Sequence, residues 1–203
     1  MKEPSNLREE YRVLVKAFNR MTELSPNEWD AFLPFLETLE APPKQVLLEA
    51  GQPTKSCFFI IRGLVRFYYL TFDGKELNKG FYGEHQVVGS LSSLILNEPS
   101  RFSVETLEPS LLVKIPSRIF MTLKAKHLGW ERFFNRCCQL MLVRNERREA
   151  ELLTATPKER YLQFIRNFPN YRHRIPQYHV ASYLGITPVA LSKYKKQWLK
   201  DVN

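Results

Sequence analysis

The sequence predicts an α+β chain: N-terminal helices, an antiparallel β-roll of the double-stranded jelly-roll type, one long central helix and a small helical C-terminal unit. Three observations carry that expectation. Apolar residues recur at helical spacing before Pro42-Pro43. From Gln45 to about Pro116, short β-branched and aromatic runs alternate with turn residues, the pattern of an antiparallel all-β unit. Beyond Pro116 the helical period returns, and the stretch from Gly129 to about Thr154 has no internal proline or glycine.

Leu7, Tyr11, Leu14, Val15, Phe18 and Met21 form the apolar stripe of the first helix. "SPNEW" then sets Ser25 at an N-cap, Pro26 at N1 and Glu28 at N3, a capping-box start. It predicts a second helix through Leu39, ended by Pro42-Pro43. The strands follow in "VLLEAGQP", "CFFIIRG", "LVRFYYLTFDGKEL", "QVVGSLSSL", "FSVETL" and "LLVKI". Asp73-Gly74 lies between two such runs and signals a hairpin. Gly51 and Gly63 fall at strand edges, where positive φ or close backbone approach favours glycine.

After a short helix, "SRIFMTLKAKH", the long one would extend about 37 Å at 1.5 Å per residue. Its first half carries Trp130, Phe133, Phe134, Cys137, Leu140 and Met141, too large a stripe for a lone exposed helix. Its second half, "RNERREAE", is charged and is expected to project from the body. A helix whose apolar seam outgrows its own domain can form a two-stranded coiled coil with a second copy. Packing within its own core is the alternative reading. The adjacent Cys137 and Cys138 read as apolar filler rather than a redox pair, since neighbouring helical cysteines rarely form a disulfide.

Thr156-Pro157 punctuates the chain, "PKERYLQFIRNF" is a further amphipathic helix, and "NYRHRIP" is a basic connector. "QYHVASYLGITPVALSKYKK" then parses as a helix-turn-helix. Pro176 takes N1 of a helix to about Leu184, with Val180 and Leu184 facing a core and Ala181 small at the helix crossing. Gly185 supplies the left-handed turn residue and Ile186 plugs the corner. Thr187 caps the second helix, Pro188 is its N1, and Leu191, Tyr194 and Trp198 form its inner stripe. Its outer face presents Val189, Ala190, Ser192 and Lys193, with Lys195 and Lys196 behind. One helix fits the major groove, where its N-terminal residues reach base edges. Lysines farther along, with Arg172 and Arg174 upstream, are expected on phosphates. Thr187, Gln177 and Tyr178 complete the DNA-facing set.

The charge supports this placement. The chain has 30 Lys/Arg and 21 Asp/Glu, net +9. Nine of those bases and two of those acids lie from Thr154 to Asn203, giving +7 there and +2 in the rest. A basic unit on a near-neutral body indicates a polyanion partner. The longest apolar runs are too short to span a bilayer, and the N-terminus lacks the apolar region of a signal peptide, so no membrane partner is predicted. Three cysteines make no disulfide framework, which fits a reducing cytoplasm. No nucleophile–base pattern, P-loop or metal-ligand spacing appears. No enzyme, catalytic residue, metal site or cofactor is therefore predicted.

In the order of these elements, and in "LLEAGQPTKSCFFIIRGLVRFYY", "DGKE", "VVGSLSSL" with Gly89 and "QYHVASYLGITPVALSK", the chain resembles the bacterial Crp/Fnr transcription regulators from about Leu24 to Trp198. The resemblance implies a cyclic-nucleotide-binding-type sensor domain (residues 1–128), a dimerisation helix (129–154) and a helix-turn-helix DNA-binding domain (155–203) lacking a full C-terminal wing. It implies a homodimer on a roughly palindromic DNA operator, with RNA polymerase as a further partner. Members that bind cyclic AMP carry Gly-Glu-Leu and then Arg-Ser-Ala or Arg-Thr-Ala. Here the first motif reads Gly89-Ser90-Leu91, and Arg101 stands one place out of register beside Phe102, which points away from cyclic AMP. The effector is left unknown, its space bordered by Val88, Gly89, Ser90, Leu91, Arg101, Phe102, Phe134 and Cys138. Pro188 and Val189 occupy the places of the family's polar base readers, and Lys193 that of an arginine, so the operator is not legible. Two alternatives stand beside this reading. One is a regulator that binds cyclic AMP or cyclic GMP through a variant cassette. The other is a non-DNA interaction module whose basic tail binds RNA or an acidic partner.

Overall fold

A computed structural model of the chain describes residues 7–200, with the side chains of Lys196, Leu199 and Lys200 outside the described residues. Helix α1 (Glu9–Asn19) buries Leu14, Val15 and Phe18. The capping box at α2 (Pro26–Asp30) forms as expected, with Ser25 Oγ accepting from Glu28 N and the Glu28 carboxylate accepting from Ser25 N at 2.8 Å. The helix does not continue to Leu39. Pro34 lacks an N–H and its ring crowds the carbonyl four residues back. Leu33–Phe35 instead form one 3-10 turn, and the chain enters strand β1 (Glu37–Ala41).

The roll comprises β1, β2 (Val46–Leu48), β3 (Ser56–Arg62), β4 (Val65–Leu70), β5 (Glu76–Tyr82), β6 (Val87–Val88), β7 (Ser103–Thr106) and β8 (Ser110–Pro116). Two antiparallel four-stranded sheets face each other, ordered β1-β8-β3-β6 and β2-β7-β4-β5. The Asp73-Gly74 hairpin joins β4 to β5, with Gly74 at φ +81°. "SLSSL" is not a strand: Ser90 caps a short helix, α3 (Leu91–Leu96).

Strand alternation divides the core. Phe58, Ile60, Phe67, Tyr82, Val88, Phe102, Val104 and Leu112 fill the space between the sheets. Phe59, Val113 and Ile115 point to the opposite side of their sheet. There they meet α1, α2, α4 (Ser117–Lys126) and the first half of α5 (Leu128–Thr154). Phe18 stacks on Phe133 at 4.3 Å, and Trp130 lies 4.4 Å from Phe32 between ring centroids. Glu28 fixes the start of α5: its carboxylate accepts from Gly129 N at 2.8 Å, and its carbonyl accepts from Trp130 Nε1 at 3.2 Å. A Cβ at position 129 would displace that carboxylate from its place. Among the described residues, no helix is long and apolar enough to cross a membrane.

Candidate nucleic-acid interface and effector space

The C-terminal unit contains α6 (Pro157–Asn167), a 3-10 turn (Arg172–Arg174), α7 (Gln177–Leu184) and α8 (Pro188–Lys200). A second capping box, Thr156 with Glu159, starts α6. Pro176 stands at the N-cap of α7, one residue before the expected N1. The corner after α7 is a Schellman closure. Gly185 adopts φ +70°, its N–H reaches Ser182 O at 3.1 Å, and Ile186 N reaches Ala181 O at 3.1 Å. Thr187 Oγ1 accepts from Ala190 N at 3.2 Å and caps α8. Val180, Ala181, Leu184 and Leu191 are buried where α7 and α8 cross.

The outer face of α8 is open. Val189 is 78% exposed; Ser192 and Lys193 are exposed, and Ala190 is half-buried. Lys195 Nζ donates to Gln177 Oε1 at 3.0 Å, tying α8 to the start of α7, and Tyr178 is exposed beside it. The side chain of Lys196 lies outside the described residues. Arg172 is exposed, with one guanidinium nitrogen on Ile165 O at 3.1 Å.

Arg174 corrects the sequence reading. Its guanidinium is clamped between Glu84 (Nη2–Oε1 2.8 Å) and Glu108 (Nε–Oε2 3.1 Å). Burial pushes Glu84 upward, but the Arg174 hydrogen bonds and charge, together with backbone N–H groups of Glu84 and Gly63, hold the carboxyl below its usual range. A guanidinium with two carboxylates is not available to a phosphate. Arg174 instead fastens the C-terminal unit to the roll.

A second fastening lies at β4 and β5. Arg66 points outward from the roll, is buried, and pairs with Glu76 at 2.7 Å and Glu105 at 2.9 Å. It also donates to His179 Nδ1 at 3.3 Å, as does Asn78 Nδ2 at 3.1 Å. Two donors on Nδ1 require a neutral ring there. Burial, with the Arg66 charge added, lowers the His179 pKa to about 4. Ser182 Oγ accepts from Asn78 N at 3.0 Å and donates to Glu76 O at 3.1 Å, so α7 covers the edge strand. Between the fastenings, Leu64 and Phe81 of the roll join Tyr161, Phe164, Phe168 and Tyr183 in a common core. Sequence reasoning missed Arg66, Asn78, Glu84, Glu108, His179 and Ser182. The available signal was Arg66 itself, a charge in the apolar run "LVRFYYL", which demands a partner if buried.

The expected effector border does not form one space. Val88 and Phe102 lie between the sheets, and Phe102 stacks on Phe67 at 4.9 Å. Leu91, Phe134 and Cys138 belong to the cluster on the other side of the β1-β8-β3-β6 sheet. Alternation across β3 and β8 separates the two groups. Ser90 is fully buried as the α3 cap, Gly89 approaches Cys57 so closely that a Cβ would lie 2.8 Å from its sulfur, and Arg101 is exposed. Burial raises the Cys57 thiol to about 11 and Cys137 to about 12, so both remain protonated.

The dimer stripe is corrected as well. Trp130, Phe133 and Phe134 are buried in the chain's own core, with Cys137 and Cys138 packed against it, and Met141 is half-buried farther along the helix. Leu140 is exposed, as are Leu142, Val143 and Leu153 farther along α5. At 100° per residue, Leu142 and Leu153 fall on the side opposite Trp130.

Residues 38–127 match the cyclic nucleotide-binding domain family. Electron transport regulator A of Shewanella oneidensis is 24% identical over 190 residues, 88% of this chain and 75% of that protein. Among solved structures, FixK2 from Bradyrhizobium japonicum superposes with a TM-score of 0.73 at 16% identity, over 82% of this chain and 85% of that one. The c-di-GMP-responsive global regulator CLP of Xanthomonas campestris gives 0.70 at 16% identity, over 87% and 93%. A chain from Eubacterium rectale, assigned as a transcriptional regulator of the Crp/Fnr family, gives 0.72 at 12% identity, over 88% and 85%.

Proposed function

We propose that this chain, a cyclic nucleotide-binding-type domain within the fold of the Crp/Fnr regulators, is a homodimeric, sequence-specific DNA-binding transcription regulator. The observation that carries the reading is the α7–Gly185–α8 helix-turn-helix. Its inner residues are locked into a core shared with the roll, while Val189, Ser192 and Lys193 stand exposed on one helix face. A rigidly placed helix with an open, cation-bearing outer face can enter a major groove. Val189 offers a methyl-bearing contact suited to thymine, and Lys193 a charged donor. The outward leucines of α5 bring two copies together, so that two such helices address half-sites about one helical turn apart. In vitro selection of bound duplex DNA tests this. A roughly palindromic consensus is expected, and Val189→Glu should abolish its enrichment. Binding that depends only on salt, with no consensus, would sink the reading and favour a basic tail for RNA or an acidic protein.

A further inference from the structure

A cleft of about 940 Å³ lies between β4–β5 and α5, and extends to α6 and α7. It is not the roll interior, which Phe67, Tyr82 and Phe102 occupy. Its α5 wall includes the stripe Arg136, Leu140, Val143 and Arg147, spaced by four, three and four residues, and runs on to Leu152 and Leu153 near the helix end. Tyr69 and Lys79 face that stripe from the hairpin strands. Five cations and two acids line the cleft. Two of the cations are occupied. Arg144 lies over the Tyr82 ring at 4.2 Å and donates to Phe81 O at 3.2 Å. Arg148 stacks on Tyr183 at 3.8 Å and pairs with Glu151 at 3.3 Å. Among the described residues, Arg136 and Arg147 make no hydrogen bond or ion pair. Lys79 Nζ rests 5.7 Å from the Tyr69 and Phe102 ring centroids, and among the described residues it makes no ion pair.

We propose that this cleft binds a small amphiphilic organic anion: an apolar body on Leu140, Val143 and Tyr69, and a phosphate or carboxylate head on Arg136 or Arg147. The volume suits a single small ligand, and an apolar wall with few polar anchors is the usual composition of such sites. Unpaired guanidiniums match either head bidentately. The ligand would touch the roll, α5 and the elements carrying the helix-turn-helix. Its effect on DNA binding rests on the function proposed above, whereas the binding itself does not.

The test uses the full chain and the fluorescent probe 1-anilinonaphthalene-8-sulfonate. Saturable binding is expected, weakened about 10-fold or more in Arg136→Ala/Arg147→Ala, the loss of one or two charge-assisted contacts. Leu140→Trp, which fills the apolar wall, should also remove it, while Arg118→Ala on α4 should leave it intact. Circular dichroism confirms that each variant is folded. Competition with pyrophosphate or with decanoate identifies the head group. Equal probe binding in the double-arginine variant, displacement by neither competitor, or displacement by cyclic AMP that depends on Arg101 would overturn the site. So would a cleft open to the probe only in a Leu142→Glu monomer, because the wild-type face would then be covered by a second copy. Loss of DNA selection with probe binding intact would count against the proposed function and leave this site standing.

Discussion

The two halves of α5 differ in where their apolar side chains point. In the first half, Trp130, Phe133 and Phe134 are buried against α1, α2 and α4. In the second, Leu142 is 67% exposed and Leu153 78% exposed. Here the dense aromatic stripe belongs to the chain's own core, where α1, α2 and α4 surround it at close-packed density. The leucines set among the charges are left exposed, and the proposed pairing of two copies would draw on them. The C-terminal unit repeats the contrast: α7 is fastened inward through His179 and Ser182, and α8 presents Val189 and Lys193 outward.

The contrast can be broken at four points. Trp130→Ala should cost the most, about 3–5 kcal/mol from lost burial and the cavity left behind. Thermal denaturation should then fall by roughly 10 °C, and an unchanged Tm would mean that the first half of α5 is not core. Leu142→Glu with Leu153→Glu should convert a dimer of 24.0 kDa chains to monomer by light scattering, with the fold retained by circular dichroism. A wild-type monomer would remove α5 as the pairing element.

The inward side of α7 predicts an acid response. The folded His179 pKa, about 4, lies below its ordinary 6.5. The unfolded state therefore binds the proton first, and stability falls as pH drops from about 6.5 to about 4, at no more than about 1.4 kcal/mol per pH unit. His179→Asn keeps an acceptor for Arg66 and should flatten urea-midpoint profiles in that window. If the wild-type profile is already flat there, the fastening is not formed in solution. The lowered Glu84 pKa adds a separate loss at more acid pH. Lys193→Ala should have the smallest effect, about 1 kcal/mol or roughly five-fold weaker binding to a selected operator in gel-shift titrations. Equal loss on selected and random DNA would make Lys193 a phosphate contact rather than a base reader.

Much of the architecture was readable because it follows local rules. The capping box at Ser25 and Glu28, the hairpin at Asp73-Gly74, the long uninterrupted helix and the Gly185 corner each depend on residues a few positions apart. The error at the second helix was also local: Pro34 stood inside the run and should have ended it. The candidate site was legible only in part. Gly185, Val189 and Lys193 declare themselves by spacing, but Arg172 and Arg174, two residues apart in one basic connector, look alike in sequence. Only the arrival of Glu84 and Glu108 from distant loops separates them.

The amino-acid sequence by itself therefore determined the succession of helical, β and helical regions, much of the turn chemistry and the concentration of positive charge in the last fifty residues. Those properties come from backbone dihedrals, side-chain periodicity and composition, which need no distant partner. Tertiary structure decided which charges are free and which side of each apolar helix faces its own chain. Arg66 with His179, Arg174 with its two glutamates, and the separation of Phe102 from Phe134 all arise when segments roughly thirty to more than a hundred residues apart are brought together. The free energy of a buried charge or ring is set by the groups packed around it, and periodicity along the chain does not encode which groups those are.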